Sequence, residues 1–142
     1  MITEIKQLAH DLEETLITNR RHLHAHPELS FHEYETSAFV KKQLDDIGIS
    51  WKSMANTGII GIIKGEIASD RVIALRADMD ALPITESNQV NYASLNKGVM
   101  HACGHDAHTS SLLGVATILQ SIKSKFGGTV KLIFQPGEEK LP

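Results

Sequence analysis

The run GIIGIIK at residues 58–64 packs four isoleucines into seven positions with no polar alternation. A strand with one wet face alternates apolar and polar residues. A continuous β-branched run instead predicts a strand covered on both sides, as in layered α/β sheets. Further short runs flank it. RVIALR at 71–76 and TVKLIF at 129–134 read as strands, the first set off by turn residues that include Ser69 and Asp70. Trp51 to Met54 reads as a shorter one.

Helical periodicity surrounds this strand-rich stretch. Ile5, Leu8, Leu12 and Leu16 keep the spacing of one apolar stripe, predicting a helix over 3–24 with Thr3 as N-cap. Pro27 stops it. Ser30 followed by Glu33 reads as a capping box opening a second helix, whose buried face runs through Tyr34, Phe39, Val40, Leu44 and Ile47 and which Gly48 closes. Residues 84–100 have no firm period and read as a loop. A nearly all-round apolar helix is expected from about Ala107 to Phe126, ended by Gly127 and Gly128. The order predicts an α/β layered domain with a mixed β-sheet and flanking helices.

The chain has 142 residues, the size of one ordinary domain, with 42% hydrophobic and 22% charged residues. The net charge of −3 offers no basic face for a phosphate backbone, so nucleic acid is not an expected partner. No stretch approaches the roughly 18 apolar residues of a membrane span, and MITEIKQLAH lacks the layout of a secretion signal. The single cysteine, Cys103, cannot form an internal disulfide, and a cytoplasmic location is expected. Of eight histidines, seven fall between His22 and His32 or between His101 and His108.

Chemistry-bearing residues gather in three places. Asp78 and Asp80 follow the RVIALR strand, which is expected to be buried, and lie two apart and so face one side. His101, Cys103, His105, Asp106 and His108 precede a predicted helix. Glu138 and Glu139 follow the last predicted strand. Ligands of open α/β sheets collect beyond strand carboxyl ends, and thiolate, imidazole and carboxylate form the donor set zinc prefers. Each group also has a structural reading: Cys103 as a small core residue, His105 and His108 as helix-start residues, Asp78 and Asp80 as turn residues, and Glu138 and Glu139 as a solvated pair. Jointly, adjacent carboxylates beside a thiol favour a cation. His22, His24 and His26, two apart on a helix, do not share a face and read as helix-end residues suited to the C-terminal dipole.

The segments RRHLHAHPELSFHEYET, ALRADMDALPI, MHACGHDAHTSSLLG and LIFQPGEE occur in the order seen in N-acyl-amino-acid amidohydrolases, and the chain resembles that family. It includes aminoacylase-like, hippurate and auxin-conjugate hydrolases and lies within a larger group of dinuclear zinc peptidases. The resemblance implies hydrolysis of the amide between an acyl group and an amino acid. It implies Cys103, His105 and Glu139 as metal ligands, Glu138 as general base and Asp80 as an acidic residue that orients a ligand, with Asp78 a weak candidate. The implied cofactor is a divalent metal, zinc foremost with manganese or cobalt as alternatives, two ions in the complete family site.

The resemblance also places two further histidine ligands and an inserted dimerisation domain downstream of these 142 residues. Residues 1–142 are thus expected to be the N-terminal portion of a catalytic domain, departing from the family pattern at Lys140-Leu141-Pro142. The expectation is one weakly held ion, little or no turnover alone, and self-association through an exposed sheet edge, with Thr129 to Phe134 or a neighbouring strand as that edge. Alternatives are a non-enzymatic remnant binding a metal or protein partner, and a redox role for Cys103.

Overall fold

The computed structural model describes residues 1–140; Leu141 and Pro142, the end of the departing segment, lie outside it. Helices α1 (Ile2–Asp11), α2 (Glu13–Ala25) and α3 (Tyr34–Asp46) precede strands β1 (Ser50–Met54), β2 (Gly58–Lys64) and β3 (Ile67–Asp78). Helix α4 (His105–Ser121), a single 3₁₀ turn and strand β4 (Gly127–Gln135) follow. The strands form one four-stranded sheet in the order β1-β2-β4-β3. β1 with β2 and β2 with β4 are antiparallel, whereas β3 and β4 are parallel. The sheet is therefore mixed, and the α/β layered expectation holds. The segment β3–α4–β4 is a crossover unit, the connection that parallel neighbours require.

β1 and β2 are joined through Ala55 and Asn56, both with positive φ, at 51° and 67°. That pair of left-handed residues matches the right-handed twist of a tight hairpin. In β2, Ile59 and Ile63 are buried while Ile60 and Ile62 are half-buried, so the run is covered on one face and partly sheltered on the other. α3 and α4 contribute Val40, Leu44, Leu112, Leu113 and Ala116 to a core closed by Val130, Leu132 and Phe134 of β4. Leu132 and Phe134 are fully buried, each contributing roughly 2–3 kcal/mol.

Several local expectations are corrected. The first helix is two, because Leu12, at φ −91° and ψ −3°, separates α1 from α2. Thr3 does not cap it: Met1 is the N-cap residue, with no side-chain cap bond. Tyr34 is exposed, at the first turn of α3 beside the β1–β2 turn, where its hydroxyl accepts from Asn56 Nδ2. Ser30 and Glu33 form no capping box; both side chains turn inward, toward Asp80 and Gly137. α4 begins earlier than Ala107 and ends at Ser121, and the two glycines open β4 rather than stopping the helix.

The edge expectation changes too. β4, which contains Thr129 to Phe134, lies inside the sheet, paired on both sides. The edges are β1 and β3. RVIALR is not a buried strand: Val72 and Ile73 are each 56% exposed on β3.

Candidate metal centre

Parallel pairing of β3 with β4 aligns Asp78 with Gln135, so both strands end at the same side of the sheet. The acidic residues that follow each strand are thereby brought together. Met79 N–H donates to the Gln135 carbonyl at 2.9 Å, extending the ladder one residue past β3. Asp80 and the Glu138–Glu139 turn then meet directly, as Glu139 N–H donates to Asp80 Oδ2 at 2.9 Å.

α4 starts at this same edge. Its N-cap residue is Gly104 at φ 84°, a left-handed turn that a side chain disfavours. The turn sets His105 at the helix start with its ring 97% buried. His105 Nδ1 lies 2.9 Å from the Asp80 carbonyl and 3.1 Å from Asp80 Oδ1. Nδ1 therefore carries the donated proton, and Nε2 presents its lone pair outward. That Nε2 lies 3.8 Å from Glu138 Oε2 and 3.8 Å from Glu139 Oε1.

Cys103 completes the group. One ligand atom each from Cys103, His105 and Glu139 lies within 4.8 Å of the others. Cys103 is exposed, His105 buried and Glu139 half-buried, an arrangement open on the thiol side. The neighbouring Glu139 carboxylate, more than slight desolvation, pushes the Cys103 thiol up from its ordinary value. Glu139 Oε1 is buried without a hydrogen-bond partner among the described residues. An unpaired buried carboxylate oxygen, an outward imidazole nitrogen and a nearby sulfur fit a shared divalent cation, which would stabilise all three.

Asp80 is 1% exposed. Burial acts to raise its carboxyl, but hydrogen bonds from Ser30 Oγ at 2.7 Å and from backbone N–H groups outweigh it and hold it below the ordinary value. A second trio, Asp78, His105 and His108, shares His105. There Asp78 is drawn to Arg76 Nε at 3.1 Å and His108 is largely exposed, so Asp78 already has a cationic partner.

His22 and His24 lie in the last turn of α2 and His26 at its C-cap, as expected, and His24 has a further part. His24 is buried, with Nδ1 at 2.7 Å from Asp106 Oδ2 and Nε2 at 3.1 Å from Glu86 Oε1. Arg20 Nε also reaches Asp106, at 2.8 Å. This network fixes α4 against α2 and the 84–100 loop, one residue from His105. The rings of His22 and His26 lie 4.6 Å apart, tilted by 33°, and His22 stacks on Phe39. Ser30 and Glu33 were not legible as site residues. Their only sequence signal was a spacing that also suits a helix cap.

The pattern of "Peptidase family M20/M25/M40" matches residues 74–141. An N-acetyl-L-cysteine deacetylase of Bacillus subtilis is 52% identical over 129 residues, 90% of this chain and 31% of that protein. An N-acyl-L-amino acid amidohydrolase of Geobacillus stearothermophilus is 46% identical over 140 residues, 98% of this chain and 38% of that protein. Among solved structures, a Bacillus subtilis protein described as a dinuclear metal binding peptidase from the M20 family superposes with TM-score 0.86 at 45% identity, covering 94% of this chain and 37% of that one. A putative aminohydrolase from methicillin-resistant Staphylococcus aureus superposes with TM-score 0.91 at 44% identity, covering 97% and 36%. The fold matches part of the catalytic domain of these M20 structures. Residues 74–141 match the M20 peptidase family, and the chain as a whole is similar to its N-acyl amino acid amidohydrolases. It spans about a third of the length of these relatives.

Proposed function

We propose that this chain contributes one half of a divalent-metal site for hydrolysis of the amide bond in N-acyl amino acids or related peptides. The convergence of Cys103, His105 and Glu139 from separate segments, with His105 held by Asp80, carries the reading. Cys103, His105 and Glu139 would hold the ion, with zinc favoured by the donor set and manganese or cobalt as alternatives. His105 Nε2 and Glu139 Oε1, 3.8 Å apart, are close to the spacing of two ligands at about 2.0–2.2 Å from one ion.

The ion would supply Lewis-acid polarisation of the amide carbonyl and acidify the attacking water. Glu138, with its side chain 38% exposed and Oε2 3.8 Å from His105 Nε2, is free to take a proton from that water and return it to the departing amine. Glu139 is less exposed and fixed by its backbone bond to Asp80, which suits a ligand. The adjacent carboxylates thus divide proton transfer from ion binding. Asp80 orients His105 and fixes its tautomer.

Three protein donors suit one ion, and the paired ions of the family require more. The 142-residue chain by itself is proposed to hold a single ion weakly and to turn over N-acyl amino acids slowly or not at all. Calorimetric titration with zinc tests this: saturable binding near one equivalent, lost in Glu139→Ala, supports it. Enzyme-like turnover by the chain alone, abolished by chelator and by Glu138→Ala, would overturn the half-site reading. No helix among the described residues is long and apolar enough to cross a membrane. A single thiol used as a ligand fits a reducing compartment, and the cytoplasm is the proposed location.

A further inference from the structure

Glu33 is 0% exposed, although it is ionisable and lies more than a hundred residues from the last acidic pair. Such a carboxylate is costly to bury unless its oxygens are paired. Here they are. Oε1 accepts Phe31 N–H at 2.9 Å and Gly137 N–H at 2.8 Å, and Oε2 accepts the Thr57 hydroxyl at 2.6 Å. Thr57 is itself buried, in the turn between β1 and β2. One side chain thus joins the segment before α3, the β1–β2 turn and the turn that carries Glu138 and Glu139.

The backbone around it is held in uncommon conformations. Phe31 has φ 64° and Gly137 has φ 64°. Left-handed backbone at a non-glycine residue persists where its surroundings over-determine it. Gly137 also lies against the Phe31 ring, which fills the space a side chain there would need. The acidic turn is therefore gripped twice: Glu33 takes the N–H of Gly137, and Asp80 takes the N–H of Glu139. Only Glu138 lies between these anchors.

We propose that Glu33 is a positioning residue, a buried carboxylate clamp that fixes the 137–139 turn so that Glu139 faces His105 and Cys103. The part concerning ion affinity rests on the metal reading above; the clamp on the turn does not. Glu33→Gln keeps the length and the shared acceptor oxygen, and its amide can donate to the Thr57 hydroxyl. Glu33→Asp keeps the charge but sets the carboxylate back by one methylene, out of reach of Gly137. Geometry and charge are thereby separated.

The experiment is amide hydrogen exchange at Gly137 and Glu139, followed by NMR in the metal-free chain, together with zinc titration by calorimetry. In the native chain Gly137 N–H is expected to be protected. Glu33→Gln should keep that protection and bind zinc within about threefold of the native affinity. Glu33→Asp should lose protection at Gly137 and Glu139 while β2 and β4 stay protected, and its zinc affinity should fall by about 10–100-fold. A folded Glu33→Asp chain with native protection and native affinity overturns the proposal. So does fast Gly137 exchange in the native chain, which decides the matter even if the Asp variant does not fold. Failure of the native chain to bind zinc would sink the metal reading, while exchange at Gly137 would still decide the clamp.

Discussion

The Nδ1 of His105 faces both the carbonyl and a carboxylate oxygen of Asp80, at 2.9 and 3.1 Å, so one residue fixes the ring in plane and in tautomer. Asp80→Asn can offer an amide N–H where Oδ1 accepted, turning an acceptor into a rival donor. The expected outcome is a loss of zinc affinity of about 10–100-fold with the fold intact. Calorimetry with far-UV circular dichroism checks it, and unchanged affinity would show that His105 needs no orienting partner.

Glu138 and Glu139 should separate cleanly. Glu138→Ala is expected to leave zinc affinity within about threefold, because its carboxylate is free for proton transfer. Glu139→Ala is expected to lose more affinity than the roughly 10–100-fold typical of an outer-shell change. Equal losses in the two variants would contradict the assigned division of roles.

Acid should destabilise the metal-free chain in two stages. Burial pushes His101 down to about 4 from its ordinary 6.5. The unfolded chain then binds the extra proton first, so the contribution of neutral, buried His101 is complete above pH 6.5 and is lost as the pH falls toward 4. Glu86 is lowered from 4.5 to about 2, chiefly by the Ser94 N–H. Its contribution is present above pH 4.5 and is lost between there and about 2. Denaturant midpoints measured against pH should show both limbs. Glu86→Gln should flatten only the lower one, and an unaltered lower limb would rule out its assignment to Glu86.

Gly137→Ala should destabilise the chain by about 1–2 kcal/mol from the left-handed backbone alone, with a further cost where the new methyl meets the Phe31 ring. A thermal midpoint equal to the native one would show that the turn is not held at positive φ.

The β3 edge should drive self-association. Val72 and Ile73 are exposed beside unpaired edge backbone, the arrangement that invites a second copy to pair. Light scattering is expected to show a mass rising with concentration, and Ile73→Lys should suppress the rise. A monomer at all concentrations would count against it.

Much of the fold was legible because its signals are local. The GIIGIIK run marks β2 at its observed bounds, and the apolar set from Leu112 to Leu119 marks α4. The three groups around Asp80, His105 and Glu139 stood out because each lies where a strand or helix begins or ends, but the choice of Cys103, His105 and Glu139 among them came from the resemblance to the amidohydrolases. What stayed hidden is non-local. Ser30 and Glu33 have a spacing that satisfies a helix cap equally well, and only the approach of Asp80 and Gly137 redirects them. His24 likewise gains its role from Asp106 and Glu86, far along the chain. The place of β4 inside the sheet depends on pairing order, which strand patterns do not encode.

The ladder of β3 with β4 also limits how this centre can vary. Because backbone bonds lock Asp78 beside Gln135, the gap between the two acidic segments is quantised in residue steps of roughly 3.3 Å. A slip of one step would turn every side chain of the moving strand to the opposite face. Adjustment of the donors to ions of different radius is therefore left to rotamers and to the short turns after each strand, while extra residues in β3 are accommodated only before the continuous ladder, between Ile67 and Val72.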